Sequence, residues 1–138
     1  VEIEFFSSRH IEDILKGKSP LDALVITPRV CGICGHAHLI ATVKALENCY
    51  EQIHISQKAK IIRELTLNFE LIQNHFKWFY MVILPLIGQK QQVLKAVLPS
   101  QLMAKAIAVL AGQYPHTSYA IVGGIVSEIT QNDIICVQ

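Results

Sequence analysis

The sequence predicts a mainly α fold, a long-helix bundle with a short β element at its N-terminus, in one domain over residues 1–138 with no internal boundary. Three observations carry this. Apolar residues recur at three- and four-residue spacing through most of the chain. Start and stop signals at Gly17, Ser19-Pro20, Thr27-Pro28 and Pro85 to Gly88 divide that pattern into separate helices. Strand-like alternation opens the chain, where Val1, Ile3 and Phe5 interleave with Glu2 and Glu4. A chain of 138 residues is long enough to bury roughly two thirds of its unfolded surface around one core.

The elements follow in order. The opening reads as a strand already under way and begins with Val, so the chain is expected to be cut at this end. It has no apolar core of secretory type. "HIEDILKGK" carries Ile11, Ile14 and Leu15 at helical spacing and stops at Gly17. "SPLDAL" starts a new helix, with Ser19 as cap, Pro20 at the first position and Asp22 where a capping-box acid would stand. From about Cys34 to Tyr50 the pattern is helical, with Leu39, Val43, Leu46 and Tyr50 along one side. Ser56 opens a long helix to about Leu84, and Gln89 to Gly112 forms another, expected to be interrupted near Pro99. "GQYPHTSYAIVGGIV" breaks any periodicity and reads as an ordered loop.

Composition narrows the functional classes. Hydrophobic residues make up 51% and charged residues 17%, against typical values of about 45–50% and about 25%. The chain therefore looks like part of something larger. A formal net charge of +1 with no basic run leaves no electrostatic footprint for nucleic acid. The most apolar run, "WFYMVILPLIG", is about half of the roughly 20 residues that span a bilayer, so no transmembrane segment is expected. Four cysteines, unevenly spaced, do not make a secreted disulfide scaffold.

Chemistry concentrates in "TPRVCGICGHAHL", residues 27–39. Two cysteines three apart can turn both sulfurs onto one soft or borderline metal ion. Cys34, His38, Ala41 and Ala45 recur at helical spacing, so a sulfur and an imidazole share a face floored by small side chains. On the residues alone the pair can be a structural thiol pair, half of a zinc site, a redox dithiol or part of a catalytic metal centre. A zinc site wants a second pair, which Cys49 and Cys136 do not make. A thioredoxin-like dithiol wants a βαβ setting, and these flanks are helical.

Two stretches together resemble the nickel-bearing large subunit of the [NiFe] hydrogenases. The first is "RHIE" at Arg9 to Glu12, followed across the family's usual gap by "RVCGIC" at Arg29 to Cys34 and then His38. The second is "GQYPHTSYAIVGG", similar to a Pro-His loop closing on Gly-Gly, here Pro115, His116, Gly123 and Gly124. Departures fall at His10, Pro28 and Val122, where the family prefers Gly, a polar residue and Pro. None of them removes a metal ligand.

The resemblance implies that Cys31 is a terminal nickel ligand and that Cys34 bridges nickel to an iron carrying cyanide and carbon monoxide. It implies that His38 donates toward the bridging sulfur, that Glu12 helps hold magnesium, and that His116 lines the cofactor's vicinity or the small-subunit contact. The implied reaction is reversible heterolytic cleavage of H2, with electrons passing to an iron–sulfur small subunit. The implied location is cytoplasmic, or membrane-associated through partner subunits. A second CxxC, which supplies the other two thiolates in the family, is absent from this sequence. The chain is therefore expected to be an N-terminal portion, incomplete and inactive alone. The alternatives are a non-catalytic helical remnant and a small zinc- or dithiol-binding protein. The related quinone-site subunit of respiratory complex I lacks the ligating cysteines.

Overall fold

Helices occupy most of the chain in the computed structural model, which describes residues 2, 4, 6 and 10–138. The strand expected at Val1, Ile3 and Phe5 falls outside those residues. Helix α1, Ile11–Leu15, stops before Gly17, whose φ of 76° lies in the left-handed region that glycine adopts without penalty. The Ser-Pro signal gives a 3₁₀ turn, Pro20–Asp22, that passes into α2, Ala23–Ile26. Pro20 takes the first position as expected, but neither Ser19 nor Asp22 makes a side-chain cap. A second 3₁₀ turn, Thr27–Arg29, leads into the cysteines. The Thr27 hydroxyl donates to the Ala23 carbonyl at 2.8 Å and meets the Thr42 hydroxyl at 2.7 Å, tying this buried turn to both flanking helices.

Three helices form the frame: α3, Gly35–Glu47; α4, Gln57–Trp78; and α6, Val93–Ala111. Ser56 caps α4, its hydroxyl accepting the Ala59 N–H. The long helix does not reach Leu84 as one α-helix. It widens into a π turn, Phe79–Ile83, before a short α5, Leu84–Leu86. Pro85 explains the change, since it has no N–H for the Met81 carbonyl and its ring crowds that oxygen. The Gln91 side-chain amide supplies the missing donor to Met81 at 2.9 Å. Pro99, in contrast, leaves α6 unbroken.

The most extensive contact in the fold is α4 along α6. Leu39, Ile40 and Val43 of α3 meet Ile62 of α4, Ile107 and Leu110 of α6, and Tyr119 and Ala120 in one buried cluster. Among the described residues one helix, α6, is long and apolar enough to cross a membrane by length and composition. Here its Ala96, Ser100, Ile107 and Leu110 are buried within the fold.

The stretch expected as a loop holds a hairpin. Strand β1, Ala120–Ile121, pairs antiparallel with β2, Gly124–Ile125, with Ala120 opposite Ile125 and Ile121 opposite Gly124. A buried ion pair fixes it from inside. Arg63 donates to both Glu47 oxygens, at 3.2 and 2.9 Å, and its Nη2 also reaches the carbonyls of Ile121 at 2.6 Å and Gly124 at 2.8 Å. Glu47 in turn accepts the Gly123 N–H at 2.9 Å. The last helix, α7, Gln131–Cys136, begins with a capping box of Thr130 and Asp133.

Candidate metal centre

Cys31 lies between the second 3₁₀ turn and α3, and Cys34 is the residue immediately before that helix. The sulfur atoms of Cys31 and Cys34 and a ring nitrogen of His38 all lie within 4.8 Å of one another. The three residues are half-buried, so the turn sits at the edge of the core. The Cys34 N–H donates to Cys31 Sγ at 3.2 Å. Among the described residues no hydrogen bond engages the His38 ring, while Ala41 and Ala45 are exposed. Cys31 and Cys34 are joined as a disulfide, so holding a metal requires two-electron reduction of the pair.

Two soft sulfurs and an imidazole suit nickel, and the donated N–H supports charge on Cys31 once it is reduced. A closed structural zinc site needs four ligands. The described residues bring together only these three, and Cys49 and Cys136 are exposed and unpaired.

The turn is held by its neighbours. Pro28 is buried, and a Cβ placed on Gly35 would stand 2.3 Å from the Pro28 carbonyl oxygen, so only glycine permits this approach. The Arg29 guanidinium donates to the Val25 carbonyl. Asn74 Nδ2 donates to the Ile33 carbonyl at 2.9 Å. Glu70, 1% exposed, accepts the N–H groups of His36 at 2.9 Å and Ala37 at 2.8 Å. The Tyr114 hydroxyl approaches Glu70 at 3.2 Å and Gln73 at 2.8 Å. Burial and the adjacent Glu70 charge push the Tyr114 phenol well above its ordinary value.

His36 is buried and stacks on Tyr119 with ring centres 5.6 Å apart. Its Nε2 meets the Thr66 hydroxyl at 3.0 Å, and Tyr119 meets the same oxygen at 2.6 Å. Thr66 has a single proton, which goes to the Ile62 carbonyl at 2.8 Å. His36 and Tyr119 are then the donors, and His36 is the neutral Nε2–H tautomer. Burial lowers its pKa to about 4 and raises that of Tyr119 to about 12.

Of the other expected site residues, His116 comes to the centre's edge. It is exposed, and its Nδ1 donates to the Pro28 carbonyl at 3.4 Å, so the Pro-His loop lies against the turn that leads into Cys31. Glu12 is exposed on α1 and joins no cluster of three His, Cys, Asp or Glu among the described residues. Sequence reasoning missed Glu70 and Asn74, which hold the turn from 33 and 41 residues away, and Tyr114, which meets Glu70 across 44 residues.

A family profile described as nickel-dependent hydrogenase matches residues 9–84, more than half of the chain and all of the cysteine turn. The chain belongs to the nickel-dependent hydrogenase family. The uptake hydrogenase large subunit of Cupriavidus necator is 39% identical over 72 residues, covering 52% of this chain and 12% of that protein. The coenzyme F420 hydrogenase subunit alpha of Methanothermobacter thermautotrophicus is 27% identical over 126 residues, covering 89% of this chain and 31% of its own length. Among solved structures, the Ni-Fe-Se hydrogenase of D. vulgaris Hildenborough in its reduced state superposes with a TM-score of 0.79 at 24% identity, over 94% of this chain and 32% of that one. An NAD+-reducing [NiFe]-hydrogenase in its H2-reduced state gives a TM-score of 0.81 at 24% identity, over 98% and 33%. These superpositions show the shared, mainly helical fold. The chain thus spans about a third or less of the hydrogenases it matches.

Proposed function

We propose that this chain is a ligand-bearing part of a [NiFe] hydrogenase large subunit, contributing two of the four thiolates that hold the nickel–iron centre. The observation that carries the reading is the convergence of Cys31, Cys34 and His38 within 4.8 Å in a half-buried turn of a family member. Cys31 would hold nickel as a terminal ligand, and Cys34 would bridge it to an iron carrying CN and CO. When bound, these metals supply the heterolytic splitting of H2. The protein's share is to hold the two sulfurs on one side, to support the charge on Cys31 by N–H donation, and to keep the His38 imidazole beside them as a donor. His116, poised on the Pro28 carbonyl, would border the contact with an iron–sulfur small subunit that takes the electrons. Glu12 would hold magnesium once the remainder of the subunit approaches α1. The assembly would be cytoplasmic, or membrane-associated through its partners.

The disulfide favours one second reading, a dithiol- or zinc-binding module. Co-production with a hydrogenase C-terminal segment carrying the other CxxC, together with the maturation machinery, separates the two. Nickel analysis and hydrogen-dependent dye reduction should show metal and turnover, and Cys34→Ser should abolish both. Bound zinc or a reversible disulfide without nickel supports the module. No metal in any form supports a non-catalytic remnant.

A further inference from the structure

A helix leaves its first N–H groups without partners inside the helix, and the residue just before it ordinarily satisfies the second or third of them with its own side chain. Ahead of α3 that residue is Cys34, and its sulfur makes no such bond. The N–H groups of His36 and Ala37, second and third in the helix, go instead to Glu70, one to each carboxylate oxygen, at 2.9 and 2.8 Å. The Tyr114 hydroxyl lies 3.2 Å from the same carboxylate and shares its one proton with Gln73 Oε1 at 2.8 Å. A buried acid is costly unless its oxygens are met in this way. One turn further along α4, Asn74 holds the Ile33 carbonyl. Two α4 residues one turn apart therefore grip the backbone on both sides of Cys34.

We infer that Glu70 is a positioning residue of the metal centre: by capping α3 from a neighbouring helix it frees the Cys34 sulfur from the capping role and leaves it facing Cys31 and His38. This rests on reading the two thiols as nickel ligands. A glutamine here offers one accepting oxygen where two N–H groups need one each, and aspartate is a methylene too short. With the cap weakened, the sulfur of Cys34, at the position whose side chain ordinarily caps a helix, is drawn from the metal toward its own helix.

The test is a nickel(II) titration of the reduced chain co-produced with the hydrogenase C-terminal segment that carries the other CxxC. It is followed by thiolate-to-nickel charge-transfer absorption, with circular dichroism and melting measured on the same samples. Glu70→Gln should bind nickel about 10- to 100-fold more weakly, and its band at saturation should differ in position or intensity, at a temperature where helix content equals that of the wild type. A merely structural role would lower the melting temperature and leave the saturated spectrum unchanged. Asn74→Ala, which keeps the carboxylate, should shift affinity in the same direction by a smaller factor. A folded Glu70→Gln with wild-type affinity and band overturns the inference. If that variant does not fold, an Asn74→Ala with wild-type affinity and band overturns it. A wild-type assembly that binds no nickel sinks both the ligand reading and this inference, whereas wild-type binding with unaltered variants sinks this inference alone.

Discussion

His36 shows how much one side chain two places past a cysteine can set. It is buried as a neutral donor, and burial holds its pKa near 4, below the usual 6.5. Between those values the unfolded chain binds more protons than the folded one, so stability rises with pH through this window and is fully present above about 6.5. The difference amounts to at most about 3 kcal/mol. Urea unfolding midpoints measured from pH 4 to pH 7 should climb in the wild type, and replacing His36 with Phe should flatten the slope. Gly35 makes a separate prediction. With the Pro28 oxygen 2.3 Å from any added Cβ, Gly35→Ala should destabilise the chain by roughly 1–3 kcal/mol and weaken metal binding at Cys34, checked by denaturation and the same nickel titration. The shared face of Cys34 and His38 was legible in the sequence, because helical period alone places residues four apart together. Glu70 and Asn74 were not, because their partners lie 33 and 41 residues away and nothing local marks a buried acid as a cap.

At the scale of elements, prolines and hydrogen-bonding side chains decided where the reading held. Ser56, Pro20 and Gly17 mark boundaries through local chemistry and were read correctly. The π turn at Phe79–Ile83 was not readable, since Pro85 announces only that something must yield, and Gln91 decides that the helix widens rather than ends. The hairpin was hidden for a related reason. Two-residue strands carry no alternation, and what holds them is a guanidinium and a carboxylate from α4 and α3. Both charges of that pair are buried, so removing one partner strands the other. Arg63→Ala should lower unfolding free energy by about 3–5 kcal/mol, measured by urea denaturation, and hydrogen exchange should quicken at Gly123 before it does in α3.

Over the whole molecule the excess of hydrophobic residues has a visible destination. Leu94, Leu98 and Leu102 repeat every four residues along the outside of α6, all more than half exposed, and Leu86 and Ile87 project from α5 and the turn after it. A surface of this kind calls for cover. The chain alone should bind a hydrophobic dye strongly, and co-production with the rest of a hydrogenase large subunit should suppress that fluorescence. A weak dye signal from the chain alone would count against incorporation into a larger body.

The contact between His116 and Pro28 joins points 88 residues apart. A ribosome making this polypeptide releases the turn before Cys31 long before it releases the loop that leans on that turn. Until that late segment emerges and the two long helices close, the landing place for any ion stands half-built. On the proposed reading, the turn that carries the thiols takes its finished form only after His116 has been made, so the order of synthesis would bear on when metal can be delivered.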